Sequence, residues 1–380
     1  MKVTAAVVRE QSKPFTIEEL DLDEPREDEV LVRVLATGIC HTDIIVRDQY
    51  YPVPLPSVLG HEGAGIVEQV GRQVKKVKPG DHVVLSYMYC GTCDNCQNGR
   101  CGYCYDFYGL NLSGSRQDGS TTLHKDGEGI HGSFFGQSTF ATFALASEKN
   151  VVKVREDIPL DILGPLGCGI QTGAGGVINA LAPHAGSSIA VFGTGSVGLS
   201  AIMAARVVGC TTIIGIDIRP DRLKLASELG ATHTINGSEG NTLEQIQKMT
   251  KGKGADYTLE TTGRPQILRQ AVDCLRFTGV CGLIGAAPLG TEVNIDMNNI
   301  LFGRTLRGIV EGDSIPDIFI PQLIELYVQG RFPFDKLIKK YKLEEINEAV
   351  EATEKGSVLK PVLVLAERGL TLSSNVKGRA

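Results

Sequence analysis

Residues 187–217 constrain the fold more than any other stretch of this chain. SIAVFGTGSVGLSAIMAARVVG reads as an apolar strand, a glycine-rich turn and a helix, and TIIGID follows as a second strand. Gly193, Gly195 and Gly198 spell G-x-G-x-x-G with Val197 inside the turn, and Asp217 closes the second strand nineteen residues after the last glycine. A lone match to that pattern is weak, but between a strand and a helix it predicts a dinucleotide site. The glycines let a pyrophosphate approach the helix N-terminus, and the carboxylate accepts from the adenosine ribose hydroxyls. Asp217 would repel a 2′-phosphate, which favours NAD over NADP; Arg219 and Arg222 nearby weaken that preference slightly. Alternation continues through HTIN, a helix near 243–250, ADYTLETTG, a helix near 266–277, GVCGLIGAA and LRGIV. Together these predict an α/β unit with about six parallel strands in one doubly wound sheet.

The flanking regions have a different grain. Residues 1–35 read as β-structure, with AAVVRE and EVLVRVLAT separated by the acidic loop DLDEPREDE. A loop entering a short helix is expected over 38–48, and β-structure again over 60–84. Residues 105–145 form a long lobe rich in Gly and Ser that ends in the strand-like TFATFALA. After Glu311 come two helical segments, FIPQLIELYVQG and EINEAVEATEKG, and a last strand, VLVLA, expected to fold back onto the N-terminal region. Residues 367–380 read as polar and frayed.

Ten cysteines in a chain of 380 residues without a secretory leader point to metal or thiol chemistry more than to disulfides. Four of them, Cys90, Cys93, Cys96 and Cys104, stand at gaps of three, three and eight residues. Adjoining Cys-x-x-Cys steps wrap one ion, and four thiolates leave no vacancy, so this zinc would be structural. Cys101 interrupts the series and is a competitor for the metal. Cys40 and the triplet Gly60-His61-Glu62 lie twenty-one residues apart and offer a second, sulfur-and-imidazole pair. Cys168 is the natural third ligand, which would leave one position open for substrate. Cys210, Cys274 and Cys281 sit in apolar surroundings and read as inert core.

Net charge is −6 and thinly spread, which argues against nucleic acid or an anionic membrane as partner. No run approaches eighteen uncharged apolar residues. The expectation is a soluble, cytoplasmic protein.

In order and spacing, the ligand candidates, cysteine cluster and glycine fingerprint resemble the zinc-dependent medium-chain alcohol dehydrogenases over about residues 3–366. Gly60-His61-Glu62 followed by Gly65, Gly71 and Val74 is similar to that family's zinc pattern. The resemblance implies a GroES-like, mostly-β catalytic domain over 1–169 and 311–380, with a Rossmann coenzyme domain over 170–310. It implies two zincs and NAD, and makes Cys40, His61 and Cys168 the catalytic ligands, with Glu62 behind the metal. It assigns Cys104 as the fourth structural ligand and leaves Cys101 spare. Thr42 becomes the acceptor of the hydroxyl proton, His41 and Lys360 pyrophosphate contacts, Thr172 a neighbour of the nicotinamide, and Arg222 a coenzyme contact beside Asp217. Ile45 stands where liver-type members carry a relay histidine, so the relay must be shortened, replaced by His41 or completed by water.

Within the family, CHTDIIVRDQ and LGPLGCGIQTGAG look most like aryl- and benzyl-alcohol dehydrogenases, which implies an aromatic or allylic primary alcohol, an aldehyde product and a homodimer or homotetramer. The glutathione-dependent formaldehyde branch carries an arginine where this chain has Tyr108. Polyol members often lack the four-cysteine lobe. A non-catalytic nucleotide-binding protein should have lost a ligand or a glycine, and none is missing. Blander readings stand beside these. Tyr50, Tyr51, Tyr87, Phe134 and Phe135 suit a planar-substrate pocket or simple core packing, and Arg47 with Asp48 suits a solvated ion pair.

Overall fold

The structure is a computed structural model that describes residues 1–365; the frayed tail expected over 367–380 lies outside the described residues. The runs IAVF and IIGI are buried in Ser188–Phe192 and Thr212–Asp217, as strands covered by helices on both faces must be. Six strands pair in parallel, in the order His233–Asn236, Thr212–Asp217, Ser188–Phe192, Ala255–Glu260, Leu275–Leu283, Thr305–Gly308. Ser188–Phe192 and Ala255–Glu260 are central neighbours, and the chain winds outwards from them in both directions. That is the doubly wound sheet expected, with its crevice at the carboxyl ends of the two central strands. The helix expected over 266–277 stops at Asp273, and Leu275 opens the next strand. Arg276 and Phe277 of that strand are exposed, so an apolar-looking helix end is an edge-facing strand start.

Both chain ends build the other part. A seven-stranded sheet runs Val151–Lys153, His82–Leu85, Gly63–Val70, Glu29–Gly38, Lys360–Val364, Ile338–Lys342, and Phe143–Ser147 also pairs with Glu29–Gly38. The returning strand sets Val362 opposite Gly38 and Val364 opposite Ala36, and Ile39 N donates to Pro361 O at 2.9 Å. The tail therefore folds back as expected. Thr16–Leu22 lies within the stretch read as β-structure, outside its two named runs, and Ile338–Lys342 was not expected as a strand; the first buries Leu20 and Leu22 and turns Glu19 and Asp21 outward. Among the described residues no helix is long and apolar enough to cross a membrane.

Candidate active site

Helix His41–Arg47 starts at Cys40, and Asp43 in its first turn organises the site. One carboxylate oxygen of Asp43 accepts from Cys40 N at 2.8 Å. The other accepts from Gly60 N at 3.1 Å and faces His61 Nδ1 at 2.9 Å. A buried acid thus fixes both loops that carry ligand candidates. With Nδ1–H directed at Asp43, the lone pair of Nε2 points the other way. His61 Nε2 is buried and has no hydrogen-bond partner. Donor atoms of Cys40, His61, Glu62 and Cys168 all lie within 4.8 Å of one another. An orphaned imidazole nitrogen beside two thiols is a donor set that fits zinc.

Electrostatics bind the group together. A hydrogen bond from Cys168 drives the Cys40 thiol well below its usual range, against burial. The same bond, with burial, pushes Cys168 well above it. Burial opposes a charge on His61, but Asp43 and Cys40 together outweigh it and raise the imidazole. A divalent cation held by these residues would take the place of the shared protons, because its ligands bind as thiolates and neutral imidazole.

The structure gives Lys360 a partner that the sequence reading did not name. The residue is buried, and its ammonium sits 2.8 and 3.0 Å from the two oxygens of Glu62, with Ile39 O at 3.3 Å. It is therefore engaged under the ligand cluster. The antiparallel register of the returning strand puts it there. Burial pushes Glu62 up and Lys360 pulls it back; burial lowers Lys360, but Glu62 with Cys40 and Cys168 outweighs it and the lysine is raised. Thr42 Oγ1 lies 3.7 Å from Cys40 Sγ, His41 is exposed on the same turn, and Ile45 is half-buried one turn on.

The second cluster forms as its spacing requires. Cys90, Cys93, Cys96 and Cys104 bring their sulfurs within 4.8 Å, and Cys90 and Cys96 are 3.8 Å apart. Main-chain N–H groups of Thr92 and Cys93 point at Cys90 and lower its thiol to about 5. Cys101 stays outside the cluster and is buried in the neighbouring core.

At the crevice, Gly193 holds φ of +90°, and a Cβ on Gly198 would stand 1.9 Å from Gly193 O, so neither position admits a side chain. Gly195 caps helix Ser196–Val207. Val197 lends its carbonyl to the packing against Gly173, where a Cβ would lie 2.0 Å away. Asp217 accepts from Thr194 N at 2.8 Å and from Ile218 N at 2.8 Å. Arg222 stands 4.0 Å from Asp217 and donates to Gly356 O at 3.3 Å.

A family described as alcohol dehydrogenase GroES-like domain matches residues 26–156, and one described as zinc-binding dehydrogenase matches residues 196–329. Geraniol dehydrogenase of Castellaniella defragrans is 47% identical over 363 residues, spanning 95% of this chain and 97% of that protein. The chain is a zinc-dependent medium-chain alcohol dehydrogenase. Among solved structures, an alcohol dehydrogenase zinc-binding domain protein from Burkholderia ambifaria aligns with TM-score 0.95 at 57% identity, covering 97% of this chain and all of that one. Benzyl alcohol dehydrogenase of Acinetobacter calcoaceticus aligns with TM-score 0.93 at 49% identity over 96% of this chain and all of that one. Like its family, the dehydrogenase uses zinc and NAD(H) and oxidises an alcohol.

Three residues near the dehydrogenase's ligand cluster escaped the sequence reading. Asp43 is one. Phe135 is the second in role: it stacks on His61 with centroids 4.6 Å apart, while Phe134 meets the same ring edge-on at 5.4 Å. Glu311 is the third. It takes Thr172 Oγ1 at 3.3 Å and Gln171 Nε2 at 3.4 Å, lies 3.6 Å from Cys168 Sγ, and burial raises it to about 7. Only the acid after LRGIV marked it in the sequence. Of the other aromatics, Tyr87 is buried with its hydroxyl on Ser314 O, Tyr50 is exposed, and Tyr51 donates to Ala287 O. Arg47 pairs with both Asp48 and Glu354 and is only 13% exposed, so the expected ion pair is present but largely shielded from solvent.

Proposed function

We propose that this dehydrogenase oxidises primary allylic and aromatic alcohols to aldehydes, with NAD⁺ as hydride acceptor. The orphaned His61 Nε2 between two thiols carries the site assignment: Cys40, His61 and Cys168 hold the catalytic zinc. Zinc, when bound, polarises the alcohol oxygen as a Lewis acid. Asp43 keeps the imidazole in the tautomer that leaves Nε2 available. Thr42 Oγ1 accepts the hydroxyl proton, and exposed His41 passes it to solvent, since Ile45 carries no titratable group. Phe134 and Phe135 are buried against the His61 ring and hold it in place. Relatives named for geraniol and benzyl alcohol support the choice of allylic and aromatic alcohols.

Gly193, Gly195, Val197 and Gly198 receive the pyrophosphate, Asp217 takes the ribose hydroxyls with Arg222 alongside, and Thr172 lies towards the nicotinamide. Cys90, Cys93, Cys96 and Cys104 hold a structural zinc with no open position. Residues 170–310 form the coenzyme domain, and 1–169 with 311–380 the catalytic domain. Exposed Phe277, Met297, Leu301 and Phe302 beside the edge strand Thr305–Gly308 support a homodimer or homotetramer built on that edge. Ten free thiols favour a reducing, cytoplasmic location.

Metal content by mass spectrometry, paired with NADH formation from benzyl alcohol and geraniol on the same sample, tests this reading. Two zincs per chain with turnover of both alcohols is the expected result. Two zincs with neither alcohol oxidised overturns the substrate class, and one zinc or none in a folded preparation overturns the site.

A further inference from the structure

Glu260 ends the central strand Ala255–Glu260 and is fully buried in the coenzyme sheet, outside everything described so far. Its carboxylate accepts from Thr262 N at 2.6 Å, from Gly263 N at 3.1 Å and from the Thr262 hydroxyl. Its main-chain carbonyl accepts from Ile284 N at 2.9 Å and Gly285 N at 3.1 Å. The side chain thereby holds the loop after its own strand, and the main chain at the same point holds the loop after the neighbouring strand, where a Cβ on Gly285 would meet the carboxylate at 2.7 Å. These loops touch backbone to backbone. A Cβ on Gly263, whose φ is +67°, would lie 2.3 Å from Ala286 O, and one on Gly285 would lie 2.0 Å from Gly263 N.

Each loop leads to a working part of the cleft. On the first, Thr261 Oγ1 donates to Phe192 O at 2.9 Å and contacts Gly193 O at 3.2 Å, so it braces the glycine turn from behind. On the second, Ala287 O receives the Tyr51 hydroxyl at 3.0 Å, a bond from the catalytic domain to the coenzyme domain. An acceptor-only group matches a ring of donors here; an amide in its place would turn an N–H towards N–H groups. We infer that Glu260 is a positioning residue for the coenzyme, locking the glycine turn and the Tyr51 contact into one unit that sets how tightly NAD(H) is held. The inference rests on the dinucleotide reading of that turn.

NADH binding, followed by its fluorescence on purified zinc-loaded protein, tests it in the wild type, Glu260→Gln, Tyr51→Phe and the double variant. Glu260→Gln weakens NADH by about tenfold, from one or two lost hydrogen bonds at a buried site. KM for NAD⁺ rises with it, while kcat at saturating coenzyme does not fall. Tyr51→Phe weakens NADH less, and the double variant falls short of the product of the two single effects, because both act through one unit. An NADH affinity within twofold of wild type in Glu260→Gln, or strictly multiplicative effects, overturns the proposal. If Glu260→Gln does not fold, Thr262→Val removes one donor and keeps the carboxylate; it must weaken NADH by about threefold, and unchanged binding overturns the proposal equally. Failure of the wild type itself to bind NADH overturns the dinucleotide reading as well, which separates the two.

Discussion

Lys360→Met tests the pairing of that lysine with Glu62. In the folded chain its ammonium and the Glu62 carboxylate are 2% and 0% exposed and meet at 2.8 Å. Deleting the cation strands a buried carboxylate whose remaining donor is Gly169 N at 3.1 Å. Breaking one side of such a pair costs roughly 3–5 kcal/mol. A cooperative unit of this size responds by roughly 2 °C per kcal/mol, so the apparent melting midpoint should drop by roughly 6–10 °C. Adding Glu62→Gln neutralises the stranded charge and keeps an oxygen for Gly169, so the double variant should regain about half of that loss. Thermal scans at fixed rate and fixed zinc measure both steps, and NADH affinity is read on the same samples. A pyrophosphate ligand would behave oppositely, with coenzyme affinity collapsing and the midpoint barely moving. That pattern, or a double variant no more stable than Lys360→Met alone, refutes the buried-pair argument.

Other perturbations separate the remaining roles. Cys96→Ser should lower the zinc content from two to one per chain and cut the melting midpoint; loss of turnover at unchanged stability would mean the two metal sites had been confused. Asp217→Ala should lower the NAD-to-NADP ratio of kcat/KM by about tenfold or more, and an unchanged ratio would count against its ribose role. Hydrogen bonding from Arg9 holds the Glu18 carboxylate at about 2, below its ordinary 4.5. Its stabilisation is therefore complete above the ordinary value and lost as pH falls through the folded one. Glu18→Gln should cost about 1–2 kcal/mol at neutral pH, after discounting for the solvent around Arg9, and that gap should shrink below pH ~4.5 and close only below pH ~2. Denaturant midpoints across that pH range measure it, and a gap that persists in acid would rule out the ion pair as its source.

What was legible in the sequence was what short range encodes. The turn at Gly193 needs its own φ of +90° and close contact with Gly198, and both demands fall within six residues of chain. Thiols three residues apart wrap an ion wherever the lobe sits, so the structural cluster could be read from its spacing. Strands with one wet face were harder. TIEELDL shows Glu18, Glu19 and Asp21 to any pattern search, although Leu20 and Leu22 anchor it in a sheet. IKKYK hides in the same way, and LRF extended a helix that ends at Asp273.

Side chains that act across the fold were least legible. Asp43 looks like any acid in the first turn of a helix until Gly60 and His61 arrive from another strand end. Glu311 needs Thr172 and Cys168 beside it before its burial means anything. Lys360 is the sharpest case, because a lysine before Pro-Val-Leu-Val gives no local hint whether it faces solvent, coenzyme or core. The pairing of Val362 with Gly38 decides it, by setting the head of the last strand beside the loop that leads into Cys40. A slip of one residue in that register would turn every side chain of the strand to the other face. Lys360 would then leave Glu62 without its cation under the ligand cluster. The metal site thus depends on a strand register settled between the two ends of the chain, over 300 residues apart in sequence and adjacent only after the sheet has closed.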